Sequence, residues 1–169
     1  GIEPAKIKRV AMLGGGVMGS GIVNLLLQGG FETILWDIND GAIEKGLKAV
    51  RKTFEYPIKE KKMTQADLDA MIRDRLRTTC TLEDVKDVDL VIEAVLEDMK
   101  VKQDIWKRLD AACPPHTVFG TNTSALPITE MAEILKDPDR MIGLNFFNPA
   151  HRMQLLEVIC AKKTSDQTL

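Results

Sequence analysis

Three glycines, Gly14, Gly16 and Gly19, fill the spacing G-x-G-x-x-G directly after an expected strand, Ile7 to Leu13, rich in Ile, Val, Met and Leu. About 20 residues further on, a second apolar run, Thr33-Ile34-Leu35-Trp36, ends in Asp37. Together these residues suit a dinucleotide. Gly14 permits a tight turn, Gly16 lets the backbone approach a pyrophosphate, and Gly19 lets the following helix pack closely on the strand. A helix opening at Val17 and Met18 turns free N–H groups and its positive dipole end toward the phosphates. Asp37 at a strand end accepts both hydroxyls of the adenosine ribose. It repels a 2′-phosphate, and Ile38-Asn39-Asp40 supplies no Arg to receive one, so NAD is expected over NADP. The glycine spacing alone also fits an ordinary turn, and Asp37 alone fits a solvated strand end. Their combination carries the cofactor reading.

The elements that must position these residues follow from periodicity. Helices are expected from Val17 to Gln28, ending at Gly29-Gly30, and over Gly41 to Tyr56, where Ile43, Leu47, Val50 and Phe54 recur. Pro57 is expected to bend or end the second. Thr64 reads as an N-cap with Asp67 three residues on, opening a helix over 64–74 that pairs with 41–56. Short strands are expected at Arg77–Cys80, Val88–Val95, Thr117–Gly120, Met141–Phe147 and Met153–Cys160, with helices at Met99–Ala112 and Pro127–Leu135. Ser124 is a possible cap for the last helix. Alternating strands and helices argue for a mostly parallel sheet covered on both faces, with ligands at the C-terminal strand ends. Those ends carry Gly14–Gly19, Asp37, Val95–Glu97, Asn122–Ser124 and Asn145–Asn148.

Composition narrows the class. A length of 169 residues allows one domain with a proper core. The net charge of −2 gives no global support for nucleic-acid or anionic-membrane binding. No apolar run approaches the ~18 residues that span a bilayer, and no secretory signal is visible, so a cytoplasmic or organelle-matrix setting is expected. Cys80, Cys113 and Cys160 are scattered, which argues against a disulfide framework or a metal site. Gly1 opens the chain without Met, and the polar stretch Lys162–Leu169 follows a strand directly; both ends read as cut or processed.

Five blocks of residues resemble one family. Gly14-Gly15-Gly16-Val17-Met18-Gly19-Ser20-Gly21-Ile22 is similar to the opening fingerprint of 3-hydroxyacyl-CoA dehydrogenases. Val91-Ile92-Glu93-Ala94-Val95, with Glu97 and Lys100-Val101-Lys102, is similar to their middle block. Thr121–Ser124, Gly143–Pro149 and Leu155–Ile159 resemble their catalytic blocks. The stretch Pro149-Ala150-His151-Arg152-Met153 resembles members fused to an enoyl-CoA hydratase. The resemblance covers 5–165. It implies a Rossmann-type, doubly wound α/β domain over 1–169 with a protruding helical pair, without the family's second, helical domain, through which dimerisation would mainly run. It implies NAD-dependent oxidation of a (3S)-3-hydroxyacyl-CoA to the 3-ketoacyl-CoA, a step of fatty-acid β-oxidation. Carried over by position, Glu157 orients the base, Ser124 contacts the substrate, and Asp37, Glu97, Lys102 and Asn122 contact the cofactor. Lys59, Lys61 and Lys62 are either a solvated helix end or contacts for CoA phosphates.

The chain departs from that pattern at its centre. Asn145 stands where the family has the His that takes the hydroxyl proton. An amide has no group titrating near neutral pH, and loss of a general base costs ~10²–10⁴-fold in rate. Impaired turnover with NAD binding intact is therefore expected. A non-catalytic NAD- or CoA-binding module, or an α/β domain for another nucleotide such as FAD, are the competing readings. Ser124 either caps a helix or meets substrate, and Glu157 either needs a partner or lies on an exposed strand face. His151 reads as an exposed loop residue, and His116 lies at the wrong end of the sheet.

Overall fold

Along β1 (Arg9–Leu13) the side chains alternate between two cores. Ala11 and Leu13 join one buried cluster, while Val10 and Met12 join another. A strand buried on both faces is near-continuously apolar, as this one is. The computed structural model describes residues 1–169. After β1 come α1 (Val17–Gln28), β2 (Glu32–Trp36), α2 (Asp40–Thr53), α3 (Glu55–Lys59), α4 (Gln65–Arg75) and β3 (Leu76–Thr79). A 3₁₀ turn at Leu82–Val85 leads to β4 (Leu90–Glu93), α5 (Met99–Ala112), β5 (Val118–Thr121) and α6 (Ile128–Ala132). A second 3₁₀ turn, Pro138–Arg140, precedes β6 (Met141–Phe146) and β7 (Leu156–Cys160).

The seven strands form one sheet in the order β3-β2-β1-β4-β5-β6-β7. Every neighbouring pair is parallel except β6–β7, which is antiparallel. The first core, centred on Trp106, Phe119, Leu109 and Met131, lies under α5 and α6. The second, with Ile22, Leu27, Val50, Phe54 and Leu68, lies under α1, α2 and α4. This is the Rossmann-type, doubly wound arrangement, and its strand order reverses between β1 and β4.

The expected helical pair is α2 and α4. Arg51 Nη1 on α2 donates to Asp69 Oδ1 on α4 at 2.8 Å, and Phe54 and Leu68 bury one face of each segment. Thr64 forms a full capping box with Asp67, so the weaker carboxylate stand-in suffices. The helix expected over 41–56 breaks at Phe54 rather than at Pro57, which sits inside α3. Proline lacks the N–H that would bond four residues back, so the fault falls upstream of the ring.

Near the C-terminus, α6 is shorter than the apolar pattern suggests. After Ala132 the chain tightens, with the Leu135 N–H reaching only to Ala132 O at 3.0 Å. Ser124 is not its cap. The Thr123 hydroxyl accepts the Leu126 N–H at 3.0 Å instead, and Pro127 precedes the helix with no side-chain cap.

Candidate functional site

The glycine turn is shaped by contacts that exclude side chains. Gly14 has a φ of +97°, and a Cβ there would lie 2.7 Å from the Ala94 carbonyl oxygen at the end of β4. A Cβ on Gly19 would overlap the Gly14 carbonyl oxygen. Gly16 differs: its Cβ position faces open space, which leaves room for a ligand against the backbone. The helices α2, α4 and α5 are each capped by a side chain, from Asn39, Thr64 and Asp98. Helix α1 has none and no acidic residue in its first turn. Its N-terminal N–H groups, beside exposed Val17 and half-buried Met18, carry no side-chain cap, a setting suited to an anion.

Asp37 leaves the end of β2 and turns toward this cradle. Its Oδ2 accepts the Gly15 N–H at 2.9 Å and its Oδ1 accepts the Ile38 N–H at 2.8 Å. The carboxylate is thus oriented beside the turn, where a ribose would meet it. An uncapped helix end, open space at Gly16 and an oriented carboxylate fit NAD as the group held here.

The next strand ends are tied together by a charged network. Glu93 is fully buried. Its Oε2 accepts from Lys102 Nζ at 2.7 Å and from the Val95 N–H at 2.9 Å, and its Oε1 accepts the Thr121 hydroxyl at 2.8 Å. Lys102 is also buried, and its ammonium lies 3.5 Å from Glu97 Oε1. Glu97 additionally accepts the Thr123 hydroxyl. Lys102 therefore reaches the crevice only through Glu97, which stands at its exposed edge. Asn122 Oδ1 accepts the Phe146 N–H at 2.8 Å and so pins the end of β5 to the end of β6.

Asn145 and Glu157 are register partners on β6 and β7. Directly opposed residues of an antiparallel pair share one face. The neighbouring pair Gly143 and Ile159 marks that face as the one over the first core, since Ile159 packs against it. Asn145 is half-buried and Glu157 exposed, and neither side chain has a hydrogen-bond partner within the chain. Ser124 is exposed in the turn after β5, its hydroxyl also free.

A cleft of about 850 Å³ opens on the other face of the sheet, between Gly15–Val17, the α2–α3 junction and the turn 148–152. Lys45, Lys52, Lys59 and Arg152 line it against one carboxylate, Glu55. Of Lys59, Lys61 and Lys62, read either as a solvated helix end or as CoA-phosphate contacts, only Lys59 lines the cleft. Sequence reasoning missed Lys45, Lys52 and Arg152. A partial signal existed: Lys45 and Lys52 lie seven residues apart, two helical turns, on one face of α2. His151 is not the exposed loop residue expected. It lines the cleft, and its Nδ1 is buried without a partner. Burial, and then the Arg152 cation, hold the imidazole below its usual pKa. His116 pairs with Asp89 at 3.1 Å, at the opposite end of the sheet from the cradle. No helix is long and apolar enough to cross a membrane.

The family model for the 3-hydroxyacyl-CoA dehydrogenase NAD-binding domain matches residues 9–169. A probable 3-hydroxybutyryl-CoA dehydrogenase of Bacillus subtilis is 40% identical over 163 residues, covering 96% of this chain and 56% of that protein. A glyoxysomal fatty acid beta-oxidation multifunctional protein, MFP-a, of Cucumis sativus is 40% identical over all of this chain and 23% of its own length. Among solved structures, 3-hydroxybutyryl-CoA dehydrogenase from Escherichia coli K12 superposes with a TM-score of 0.91 at 32% identity, covering 97% of this chain and 34% of that one. The chain thus spans from about a quarter to little over half the length of these relatives. The cradle at Gly14–Gly19, the Asp37 carboxylate and the Asn145–Glu157 pair all fall inside the matched span, and the chain belongs to the NAD-binding domain family of the 3-hydroxyacyl-CoA dehydrogenases.

Proposed function

We propose that residues 1–169 bind NAD along the rim from Gly14 to Asn122 and present a (3S)-3-hydroxyacyl-CoA to Asn145 and Glu157. The reaction is oxidation to the 3-ketoacyl-CoA in fatty-acid β-oxidation, slowed by the residue at position 145. The observation that carries this reading is the register pairing of Asn145 with Glu157 at the rim that also holds the glycine cradle. NAD, when bound, supplies the hydride acceptor. Gly16 and the α1 N-terminus hold its pyrophosphate, Asp37 its adenosine ribose, and Glu97 with Asn122 border its nicotinamide half. Lys102 acts by fixing Glu97.

The chain's own residues then decide the proton's fate. The Asn145 amide donates a hydrogen bond to the substrate C3 oxygen but cannot take its proton. Glu157, opposite in the strand register, is the acceptor available to the other amide hydrogen once substrate fixes the Asn145 side chain. The proton passes to water, which is the slower route. Ser124 offers a free hydroxyl to the thioester side, and the lysine-lined cleft offers cations to the CoA phosphates. We place the protein in the cytoplasm or an organelle matrix, and assembly of two copies outside the surfaces described.

A second reading keeps NAD and CoA binding and drops catalysis, favoured by the non-titrating Asn145. Calorimetric titration with NADH, paired with steady-state rates of the chain and of Asn145→His, separates them. Recovery of turnover in the variant supports a slowed enzyme. NADH binding with no turnover in either supports the binding module.

A further inference from the structure

We propose that Glu97 carries a surplus negative charge, left over by the buried Glu93–Lys102 pair, that favours the oxidised over the reduced nicotinamide, an inference that rests on the placing of the nicotinamide half above. The strand order reverses between β1 and β4. A dinucleotide with its pyrophosphate at Gly14–Gly16 therefore has one half on the β2 side and the other on the β4–β5 side. Asp37 occupies the first side. On the second, Gly14 abuts the end of β4, where a Cβ on it would lie 2.7 Å from the Ala94 carbonyl oxygen and 3.5 Å from the Val95 nitrogen. Glu97 and Thr123 stand just past the ends of β4 and β5, and the Thr123 hydroxyl donates to Glu97 Oε1.

Two carboxylates share one ammonium here. Lys102 Nζ lies 2.7 Å from Glu93 Oε2 and 3.5 Å from Glu97 Oε1. Glu93 is fully buried, and a buried carboxylate requires a close counter-charge. The ammonium is therefore spent on Glu93 and compensates Glu97 only in part. Asp98, the next residue, adds negative charge and is engaged as the cap of α5, accepting the Val101 N–H at 3.0 Å. The Glu97 side chain is 47% exposed, so it is the member of the trio that faces the crevice. Oxidised nicotinamide carries a positive ring charge. When the ring takes a hydride it becomes neutral, and the alcohol proton leaves separately. A carboxylate attracts the first form and not the second. Glu97 thus tilts the bound equilibrium toward NAD and the hydroxyacyl substrate. Glu93 and Lys102 are positioning residues, and the Thr123 hydroxyl sets the direction of the charge.

Titration calorimetry on the full chain tests this with NAD, NADH and ADP-ribose, which lacks the nicotinamide. Glu97→Gln removes the charge and keeps the side-chain length and an oxygen for the Thr123 hydroxyl. It is expected to raise the ratio of the NAD to the NADH dissociation constant by about three- to fivefold, with ADP-ribose affinity and the melting temperature unchanged. Asp37→Ala, on the adenosine side, is expected to weaken all three nucleotides and leave the ratio alone. An unchanged or lowered ratio in Glu97→Gln, with all three still bound, overturns the charge bias and leaves the cofactor seat standing. Equal losses of NAD, NADH and ADP-ribose assign Glu97 to the frame of the crevice and overturn the bias too. Absence of NADH binding to the parent chain removes both the seat and the bias.

Discussion

Asn145 and Glu157 face each other across the only antiparallel strand pair of the sheet, with side chains on one face and no bond to any other residue. Restoring a titratable ring at position 145 therefore places it beside a carboxylate with nothing else to displace. Asn145→His is expected to raise the rate of NADH formation from a 3-hydroxyacyl-CoA by ~10²–10⁴-fold, with NADH affinity unchanged. The gained rate should climb with pH through the imidazole pKa, because the neutral ring is the base. A parent chain already within about tenfold of the variant would refute the slowed-enzyme reading.

The Asp37 carboxylate is oriented by the Gly15 and Ile38 N–H groups. Asp37→Ala removes a charged acceptor for two hydroxyls, so NAD affinity is expected to fall by roughly 10- to 100-fold. Affinity for NADP should fall less, since repulsion of its 2′-phosphate is relieved. Titration with both nucleotides checks this, and equal losses would count against the assignment.

Helix α1 is packed against the turn at Gly19, where a methyl group would meet the Gly14 carbonyl oxygen. Gly19→Ala must push the helix outward, because backbone cannot yield as a flexible side chain does. The expected result is a lower melting temperature together with lost NADH binding. A stable variant with intact binding would show that the contact is looser than described.

Lys102 and Glu93 are an ion pair removed from water. Lys102→Met strands the Glu93 carboxylate and is expected to cost about 3–5 kcal/mol in urea unfolding. The double variant Glu93→Gln/Lys102→Met should recover much of that loss, leaving the amide to the Thr121 hydroxyl and Val95 N–H. Simple additivity of the two single changes would argue that the pair is not coupled.

Burial pushes the Asp89 carboxyl up, yet the Lys8 and Arg9 N–H groups and the His116 ring outweigh it and hold the pKa below the ordinary 3.8. A depressed folded-state pKa stabilises the fold above the unfolded value, and that stability disappears as pH falls through the folded one. Asp89→Asn should therefore melt lower than the parent at neutral pH, with the gap closing in acid. Melting curves across that range measure it; a gap independent of pH would assign the loss to packing.

Much of this architecture is visible in the residue order. Local signals were sufficient for α1 and α5, whose bounds, Val17–Gln28 and Met99–Ala112, coincide with those expected. Both are fixed by strong punctuation: Gly16 and Gly29 for one, Asp98 and Pro114 for the other. What depends on distant segments was not visible. The direction of β7 follows from pairing with β6, and apolar content carries no sign for it. Thr123 rather than Ser124 turns inward because Glu97, far off in the chain, accepts its hydroxyl. The resemblance makes Lys102 a cofactor contact, but its ammonium is buried between Glu93 and Glu97, a placement set by residues outside its own helix. The Tyr56–Arg152 approach joins α3 to the turn after β6, and no local pattern announces it.

The reversal of direction at β7 places both Asn145 and Glu157 on a single antiparallel strand pair, while the glycine cradle and Asp37 belong to the ends of the first two strands. Histidine and asparagine codons differ by one base, so a lineage can silence or revive the strand pair in a single step and never rebuild the grip on the nucleotide. On the proposed reading, one base change at position 145 alters the proton's route and leaves the residues that would grip the nucleotide untouched.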